Sequence, residues 1–456
     1  MPNFMNRERE LAALERAAGA QPGLVVVSGR RRVGKTALLD RFSADRRAVF
    51  LPGTRAPVAE ALRRLEERLR VAAPPGPGDL LDLGHLESWD AALGYLLARA
   101  RDEPLLVVLD EFPYLCEADP ALPSTLQARW DHRGETQLSL VLAGSHVGLM
   151  EELVAADAPL FGRADAHLRL APFSWREAGL LVGGDDPAAW LEAFVTVGGM
   201  PRYLALWDPR MDARTNLTDT LDGPGAPLGD EGTVVLQELA PGSAPGRVLE
   251  LVALGADTFT AVRERAGYAP ATTSEALASL EGLGLLDRVT PVGEDPRRTR
   301  RVRYVVRDPF LRVWLGVVQP HREAFELGRG AAVLASAREQ LAVSQALALK
   351  AVVRDWLADV EQASCGPWWP TAPAEADRNG RGSTRAEAGA VDALALRGGS
   401  PVAAATALWA TAVDGDAVRA GLRQSLTASP HGDVATLHVV ARDGDRITTP
   451  DELYAL

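Results

Sequence analysis

Residues 29–36 read GRRRVGKT and have the G-x-x-x-x-G-K-[ST] spacing of a loop that binds phosphate groups. An apolar run at 24–27 precedes the loop, and a helical pattern at 36–42 follows it. In this setting Lys35 is predicted to reach the β- and γ-phosphates of a nucleotide, and the Thr36 hydroxyl is predicted to bind Mg²⁺. The backbone N–H groups that curve around the phosphates would come from Gly29, Arg30, Arg31, Arg32, Val33 and Gly34.

The rarity of lysine makes this match informative. Of the 49 basic residues only two are lysines, Lys35 and Lys350, and one of them occupies the position where the loop requires an ammonium group. The alternative is a chance match in a chain rich in glycine and arginine. We favour the phosphate-binding interpretation and expect ATP with Mg²⁺ as the ligand.

A second apolar run, at residues 105–109, ends in the carboxylates of Asp110 and Glu111. Ligands of open parallel sheets bind at the carboxyl edge of the strands. We therefore expect Asp110 to hold Mg²⁺ and Glu111 to orient or deprotonate the attacking water. The alternative is a strand that simply ends in a solvated acidic turn.

Two further side chains are candidates for contact with the γ-phosphate. Ser145 follows the apolar run at 138–143, where its hydroxyl could bond the water or phosphate, or could merely cap the next helix. Arg163 could act as an arginine finger from its own or a neighbouring subunit, or could be structural. The sequence leaves both alternatives open.

The elements that position these residues have the pattern of an α/β protein. Val- and Leu-rich runs at 24–27, 48–51, 105–109 and 138–143 alternate with helical stretches, which predicts a parallel sheet covered on both faces. A Pro/Gly loop is expected at 74–78. Beyond Pro172 the pattern is mostly helical as far as Trp207, and residues 208–232 are expected to form a mobile connector.

Residues 246–306 follow the order of a winged helix, with three helices and then two strands of a hairpin. The third helix, at 272–283, is expected to expose Thr273, Ser274, Glu275 and Ser279. A winged helix packed on its own nucleotide domain is the alternative to one that binds DNA. Phosphate contacts would come from basic residues of the wing, namely Arg297, Arg298, Arg300, Arg301 and Arg303, with Arg307 beyond.

Several strings occur in an order that resembles the archaeal-type P-loop ATPases of the AAA+/STAND group, which often carry a C-terminal DUF234 domain. The resemblance covers nearly the whole chain and implies that Asn6 and Arg7 lie near the nucleotide base. It also implies that Pro201 belongs to a lid, and it strengthens the case for Arg163. The strings are FMNREREL from Phe4, the phosphate loop, DEFPYL at 110–115, AGS at 143–145, FGR at 161–163 and GGMPRYL at 198–204.

In relatives the last domain resembles a restriction-endonuclease fold, in which a metal-binding Asp is followed by a strand with Glu-x-Lys. Here Asp392 matches the first carboxylate, but Thr406 and Leu408 stand where Glu and Lys are needed. Lys350 falls in the preceding helix pattern. We therefore expect a degenerate nuclease-like domain in which Asp392 is a relic or a structural carboxylate.

Composition limits the remaining possibilities. With 456 residues, 47% hydrophobic and 24% charged, the chain is expected to be a soluble protein of several domains. Its formal charge of −12 argues against a chain coated in nucleic acid but permits a local basic face. No apolar run approaches the ~20 residues that span a bilayer. The absence of a leader pattern and the two isolated cysteines indicate a cytoplasmic protein.

We predict four parts: a P-loop ATPase core at 1–170, a helical lid and connector at 171–232, a winged helix at 233–312, and a degenerate nuclease-like domain at 313–456. The predicted function is ATP hydrolysis as a conformational switch, coupled to DNA or to a protein partner, in a chain that could form a homo-oligomer. The alternatives are a nucleotide-dependent DNA-binding scaffold without useful catalysis and, less favoured, an ATP-regulated nuclease.

Overall fold

The computed structural model describes residues 5–19, 22–74, 86–239, 242–370, 390–427, 429, 431–432, 434 and 436–455. Phe4, most of the predicted loop at 74–78 and residues 372–389 lie outside this part of the chain. The chain divides into two compact units, Met1–Pro172 and Phe173–Leu456. Each unit is described by itself below.

The first unit contains a five-stranded sheet in which every paired strand is parallel, in the order β2-β3-β4-β1-β5. This confirms the predicted parallel α/β fold. The fifth strand was not predicted, because its four residues alternate between half-buried and exposed positions rather than forming an apolar run. The strands are β1 (Leu24–Ser28), β2 (Ala48–Pro52), β3 (Leu105–Asp110), β4 (Leu138–Gly144) and β5 (Ala166–Arg169).

Helices connect these strands and cover the sheet. The residues of β1, β3 and β4 are all buried, as expected for central strands covered on both faces. The helices are α1 (Glu8–Leu14, continued by a π turn at Glu15–Gly19), α2 (Lys35–Ser43), α3 (Val58–Ala72), α4 (Trp89–Arg99), α5 (Phe112–Ala118), α6 (Leu122–Asp131) and α7 (Val147–Glu152).

The second unit begins with helices, and one of them corrects the prediction of a mobile connector at 208–232. Asp212 caps helix α11 by accepting a hydrogen bond from the Thr215 N–H at 2.7 Å, and Leu217 and Leu221 of that helix are buried. The segment is therefore largely ordered. The helices are α8 (Trp175–Val182), α9 (Pro187–Val197), α10 (Pro201–Leu204), α11 (Ala213–Leu221) and α12 (Glu231–Glu238).

Three helices and an antiparallel hairpin follow, in the element order that the sequence predicted. One detail of the prediction is wrong: Thr273 is fully buried, and its hydroxyl donates to the Ala269 carbonyl at 3.1 Å. The winged-helix interpretation itself stays a prediction. These elements are α13 (Ala244–Ala253), α14 (Phe259–Ala266), α15 (Pro270–Gly282), β6 (Leu286–Val289) and β7 (Arg303–Val306).

The rest of the second unit is built around a mixed four-stranded sheet, in the order β12-β10-β9-β8, with the long helix α19 packed against it. Its helices are α16 (Pro309–Val313), α17 (Arg322–Glu326), α18 (Gly330–Ser336), α19 (Arg338–Glu361), α20 (Gly415–Thr427) and α21 (Pro450–Tyr454), with a π turn at Trp314–Val318 and a 3₁₀ turn at Gln319–His321. Its strands are β8 (Ser364–Trp368), β9 (Val391–Arg397), β10 (Ser400–Leu408), β11 (Val413–Asp414), β12 (Thr436–Ala441) and β13 (Gly444–Asp445).

A search of the described helices finds none that is long and apolar enough to cross a membrane.

Candidate active site

The loop at 29–36 connects β1 to α2 at the carboxyl edge of the parallel sheet. Its tight turn requires positive φ angles of 67° at Arg32 and 98° at Gly34, the second of which is natural for glycine. A side chain at Gly29 would bring its Cβ to 2.8 Å from the Leu170 carbonyl oxygen. Val33 is completely buried, whereas Arg31 is exposed. Glycine at both ends therefore shapes the loop as the motif requires.

Lys35 is the first residue of α2 and is only 5% exposed. Its ammonium group donates hydrogen bonds to the carbonyl oxygens of Gly29, at 2.8 Å, and Arg30, at 3.3 Å. The charge thus lies inside the curve of the loop itself. An ammonium in this place is available to the phosphates that a loop of this shape accommodates.

Thr36 and Asp110 come together although 74 residues separate them in the chain: the Thr36 hydroxyl donates to Asp110 Oδ2 at 3.0 Å. Burial raises the pKa of the Asp110 carboxyl, and the Thr36 hydrogen bond offsets part of that effect. No group of three or more His, Cys, Asp or Glu side chains suited to a metal occurs in the described residues. Two adjacent protein oxygens nevertheless fit Mg²⁺, which keeps several waters and takes further oxygens from phosphates.

Glu111 follows Asp110 in a left-handed conformation, with φ of 48°. Its Oε2 accepts hydrogen bonds from the Ser145 hydroxyl, at 2.7 Å, and from the Ser145 N–H, at 3.1 Å. Strands β3 and β4 are neighbours, so their carboxyl ends bring these two residues together. Ser145 therefore contacts the candidate base directly, a contact that was not among its predicted partners.

Gly53 was missed by the sequence reasoning. Its N–H donates to the Asp110 carbonyl at 2.7 Å, and a Cβ at this position would lie 2.5 Å from the Glu111 carbonyl oxygen. Glycine is therefore required beneath the acidic pair. The only signal in the sequence was a Pro-Gly pair, Pro52 and Gly53, directly after the second predicted strand.

Arg7 is 7% exposed and supports the phosphate loop from behind. Its Nη2 donates to the carbonyl oxygens of Val33, at 3.2 Å, and Ala171, at 2.8 Å, and its Nη1 pairs with Glu10. Asn6 precedes it with φ of 52°, and its buried amide nitrogen has no hydrogen-bond partner among the described residues. Proximity of Asn6 and Arg7 to a nucleotide base stays a prediction.

Arg163 lies away from this cluster. It precedes β5, whose first residue pairs near the start of β1, and the Asp165 N–H donates to the Leu24 carbonyl at the same end. Its guanidinium makes two hydrogen bonds of 2.7 Å to Asp131, at the end of α6. The phosphate loop leaves β1 at the opposite end, about 16 Å away for a strand of this length. The structure thus does not support a sensor role for Arg163 toward its own γ-phosphate.

Pro201 belongs to the second unit, where it is the first residue of α10. The preceding Gly199 touches backbone so closely that a Cβ would lie 1.8 Å from the Phe173 carbonyl oxygen. Tyr203 then donates from its hydroxyl to Glu231 at 3.0 Å. The G-G-M-P-R-Y-L string therefore forms a tight packing motif within this unit, and a lid role for Pro201 stays a prediction.

The predicted wing is only partly available to a partner. Arg301 pairs with Glu294, and its guanidinium lies over the Trp368 ring, at 5.9 Å from the centroid. Arg303 pairs with Asp257. The loop of the hairpin is also bonded to the C-terminal sheet segment, through the Val292 N–H and the Pro367 carbonyl at 2.8 Å. The arginines that remain exposed are Arg297, Arg298, Arg300 and Arg307, and the last of these pairs with Asp287 at 2.6 Å.

Asp392 is fully engaged by neighbouring groups. Its Oδ1 pairs with Lys350 Nζ at 2.8 Å, and its Oδ2 accepts from the Thr406 hydroxyl at 2.9 Å and the Ala407 N–H at 3.0 Å. Leu408 leaves the β10 position of the motif without a lysine, and α19 brings Lys350 to Asp392 from outside that strand. Thr406, which stands at the Glu position of the motif on β10, supplies no second carboxylate. The Lys350 ammonium group thus lies where a metal ion would bind this carboxylate.

Residues 4–206 match the family model described as an ATPase domain predominantly from Archaea. No curated protein sequence matches the chain.

Among solved structures, a Walker-type ATPase of Pyrococcus abyssi is 19% identical, with a TM-score of 0.52, over 68% of this chain and 96% of that one. The ORC2 protein of Aeropyrum pernix is 14% identical, with a TM-score of 0.45, over 71% and 96%. The first likeness supports the fold alone, and the second is too weak to support a conclusion. The family match, the phosphate loop and the paired carboxylates together support an ATPase domain at residues 4–206, similar to the ATPase domains found predominantly in Archaea.

Proposed function

We propose that the first unit binds ATP with Mg²⁺ and hydrolyses the γ-phosphate, and that this change acts as a conformational switch. The observation that carries the proposal is the convergence of Lys35, Thr36, Asp110, Glu111 and Ser145 at one edge of the sheet. The Thr36–Asp110 contact of 3.0 Å is its most specific part, because it joins the two residue types that hold Mg²⁺ in P-loop ATPases.

Each residue has a distinct role in this proposal. Backbone N–H groups of the loop bind the phosphates, and Lys35 balances their negative charge. Thr36 and Asp110 would hold Mg²⁺, which supplies further charge neutralisation. Glu111 accepts a hydrogen bond or proton from the attacking water, and the two Ser145 donors fix the direction of its carboxylate. Loss of the γ-phosphate then removes charge that the loop had been holding.

The two lysines provide a matched test. We expect Lys35→Arg to reduce turnover by at least roughly 100-fold, because the longer planar guanidinium does not fit inside the loop. Lys350→Arg should leave turnover unchanged, since it lies in the second unit and keeps its charge beside Asp392. ATP binding and phosphate release are measured for both variants. Equal turnover in the Lys35→Arg and Lys350→Arg variants would show that the phosphate loop takes no part in hydrolysis.

A Glu111→Gln variant separates binding from hydrolysis. We expect it to retain ATP binding with Mg²⁺ and to lose roughly 10²–10⁴-fold in turnover, the range for a general base. Full turnover in this variant would assign the water-activating role to another group.

A second candidate function is nucleotide-dependent DNA binding through the hairpin, favoured by three exposed arginines that have no ion pair among the described residues, namely Arg297, Arg298 and Arg300. Replacing all three by Ala should lower the slope of log affinity against log salt by about 2–3, with Arg423→Ala as the control. An unchanged slope would exclude the hairpin. If the protein is a DNA-binding scaffold without catalysis, the Glu111→Gln variant should also bind DNA with unchanged affinity.

We propose that the C-terminal domain is inert as a nuclease. Both oxygens of Asp392 already accept hydrogen bonds or an ion pair, and the described residues contain no group of three or more side chains suited to a metal. Mg²⁺-dependent nicking of DNA that disappears in Asp392→Asn would contradict this. A cytoplasmic location, a protein partner and a homo-oligomer stay predictions.

A further inference from the structure

A cleft of about 360 Å³ lies within the second unit, where α9, α11, α18 and α19 meet the ends of β10 and β12. None of the residues discussed for ATP hydrolysis lines it. Its size is within the range of small-molecule sites. Its lining includes Glu192, Arg214, Arg338, Gln345, Trp409 and Arg442.

The lining of the cleft carries more positive than negative side chains. Arg442 pairs with Glu192 at 2.8 Å, so these two groups neutralise each other. Asp212, also in the lining, accepts a hydrogen bond from the Thr215 N–H, and the charges of Arg214 and Arg442 help Thr215 to lower the pKa of its carboxyl. Arg214 and Arg338 are exposed and have no ion-pair partner in the part of the chain that the structure describes. Three arginines against two carboxylates leave an excess of one positive charge, and the exposed guanidiniums of Arg214 and Arg338 are accessible to an anion.

One wall of the cleft is apolar and suits a planar aromatic group. Leu217, Leu334 and Leu341 contribute buried aliphatic surface, and the Trp409 ring is half-buried beside them. The Arg442 guanidinium lies over the Trp409 ring, at 5.5 Å from its centroid. The Glu192 pair thereby holds both Arg442 and the indole in place.

Two polar side chains in the lining are nine-tenths buried. Glu192 is 7% exposed and Gln345 is 8% exposed. Gln345 donates from Nε2 to the Thr196 hydroxyl at 2.9 Å, which fixes its amide group. Burial raises the pKa of Glu192, and Arg442 offsets part of that effect. Polar groups held in fixed positions beside an apolar wall can orient a bound ligand as well as add to its affinity.

We propose that this cleft binds a nucleoside monophosphate, with its phosphate on Arg214 and Arg338 and its base against Trp409. The phosphate anion matches the two exposed guanidiniums and the net positive charge of the lining, and the planar base matches the aromatic and aliphatic wall. Gln345 and Glu192 are placed to recognise polar atoms of the base. The proposal does not rest on ATP hydrolysis, because every lining residue belongs to the second unit.

The test uses the full chain carrying Lys35→Ala, which disables the phosphate loop. AMP and GMP are titrated by calorimetry and by tryptophan fluorescence, with adenosine and inorganic phosphate as partial ligands. We expect at least one nucleotide to bind more tightly than about 1 mM, and both partial ligands to bind at least tenfold more weakly. Arg338→Glu and Arg214→Glu should each weaken nucleotide binding at least tenfold, and the exposed Arg423→Glu should not.

Several results would overturn the proposal. They are no binding of AMP or GMP at millimolar concentration, affinity that is unchanged in both Arg→Glu variants, and equal binding of inorganic phosphate alone. Displacement of the nucleotide is also tested with poly-glutamate; binding of that peptide in preference to both nucleotides would assign the cleft to an acidic protein segment. Trp409→Leu, which keeps an apolar side chain, should remove the fluorescence response and weaken AMP but not phosphate.

Discussion

At the residue scale, the contact between Ser145 and Glu111 fixes the orientation of the carboxylate that is the candidate general base. The Glu111 carboxylate accepts two hydrogen bonds from one residue at the end of the neighbouring strand. Its backbone is in the left-handed region, which is uncommon for a residue other than glycine. Both features fix the direction of the carboxylate before any substrate is present.

We predict that Ser145→Ala lowers ATP turnover roughly tenfold while leaving ATP affinity within about twofold. The substitution removes the 2.7 Å hydroxyl bond to Glu111 but not the backbone bond, so the carboxylate is less well directed and the loss is smaller than for Glu111→Gln. Single-turnover phosphate release and equilibrium binding of ATP measure the two effects separately.

The matched control is Ser139→Ala, since Ser139 is a buried residue at the other end of the same strand. It should leave both quantities unchanged. A rise in turnover with Ser145→Ala would mean that Ser145 restrains Glu111 from the attacking water, and the assigned role would then be reversed.

The residues of the site were predictable where they adjoin a strong local pattern. Lys35, Thr36, Asp110, Glu111 and Ser145 each follow an apolar strand, and parallel strands bring their carboxyl ends to one edge. The partner of Ser145 was not predictable, because rotamers and distances across strands leave no trace in the order of residues.

At the element scale, the Lys350–Asp392 pair joins α19 to β9, and Thr406 adds β10 to the same carboxylate. Asp392 is 15% exposed and Lys350 is 33% exposed, so the pair is partly shielded from water. Removing one partner would leave the other charge in a poorly hydrated position.

We predict that Lys350→Met lowers the free energy of unfolding of this domain by about 1–3 kcal/mol, less than for a fully buried pair. Lys350→Met combined with Asp392→Asn should recover part of that loss, because no lone charge remains. Amide hydrogen exchange of residues 391–397 and 400–408 measures the stability of this domain separately. This is needed because a chain of several domains need not unfold in a single two-state transition.

Lys350→Arg is the conservative control and should retain most of the stability. If Lys350→Met exchanges no faster than the unmodified chain, the ion pair does not hold α19 on the sheet.

Elements with strong periodicity were predictable, and those that depend on caps or distant partners were not. The strands β1 to β4 are apolar runs, whereas β5 has only alternating exposure and depends on its place beside β1. Helix α11 lies in a segment rich in Pro, Gly and Asp. It forms because Asp212 caps it, and Asn216 then bonds the backbone of the preceding turn, accepting from the Asp208 N–H at 2.7 Å. The predicted exposure of Thr273 was wrong because this residue lies three, four and seven positions before the buried Ala276, Leu277 and Leu280, on the same face of the helix.

At the scale of the whole molecule, the position of Arg163 has a consequence for assembly. It lies at the amino edge of the sheet, at the opposite end from its own phosphate loop, and Phe161, two residues before it, is 54% exposed. If Arg163 acts on a γ-phosphate, that phosphate belongs to another copy of the chain.

We predict that turnover rises with protein concentration and that Arg163→Ala abolishes this rise. Mixing inactive Lys35→Ala protein with Arg163→Ala protein should restore activity, because one copy supplies the intact loop and the other supplies the arginine. Steady-state phosphate release over a range of concentrations, with sedimentation to determine size, measures both effects.

Arg101→Ala is the control, since Arg101 is an exposed arginine that precedes β3 at the same edge of the sheet. A mixture that remains inactive, together with turnover independent of concentration, would leave Arg163 as a structural partner of Asp131.

The guanidinium of Arg7 ties two distant stretches of backbone together. One of its nitrogens binds the carbonyl of Val33, in the phosphate loop, and that of Ala171, next to the last residue of the first unit. Movement of the loop by even 1 Å would therefore stretch a bond to Ala171 or pull that residue along. The chain thus contains a mechanical linkage from the nucleotide pocket to the point where the polypeptide leaves the ATPase sheet.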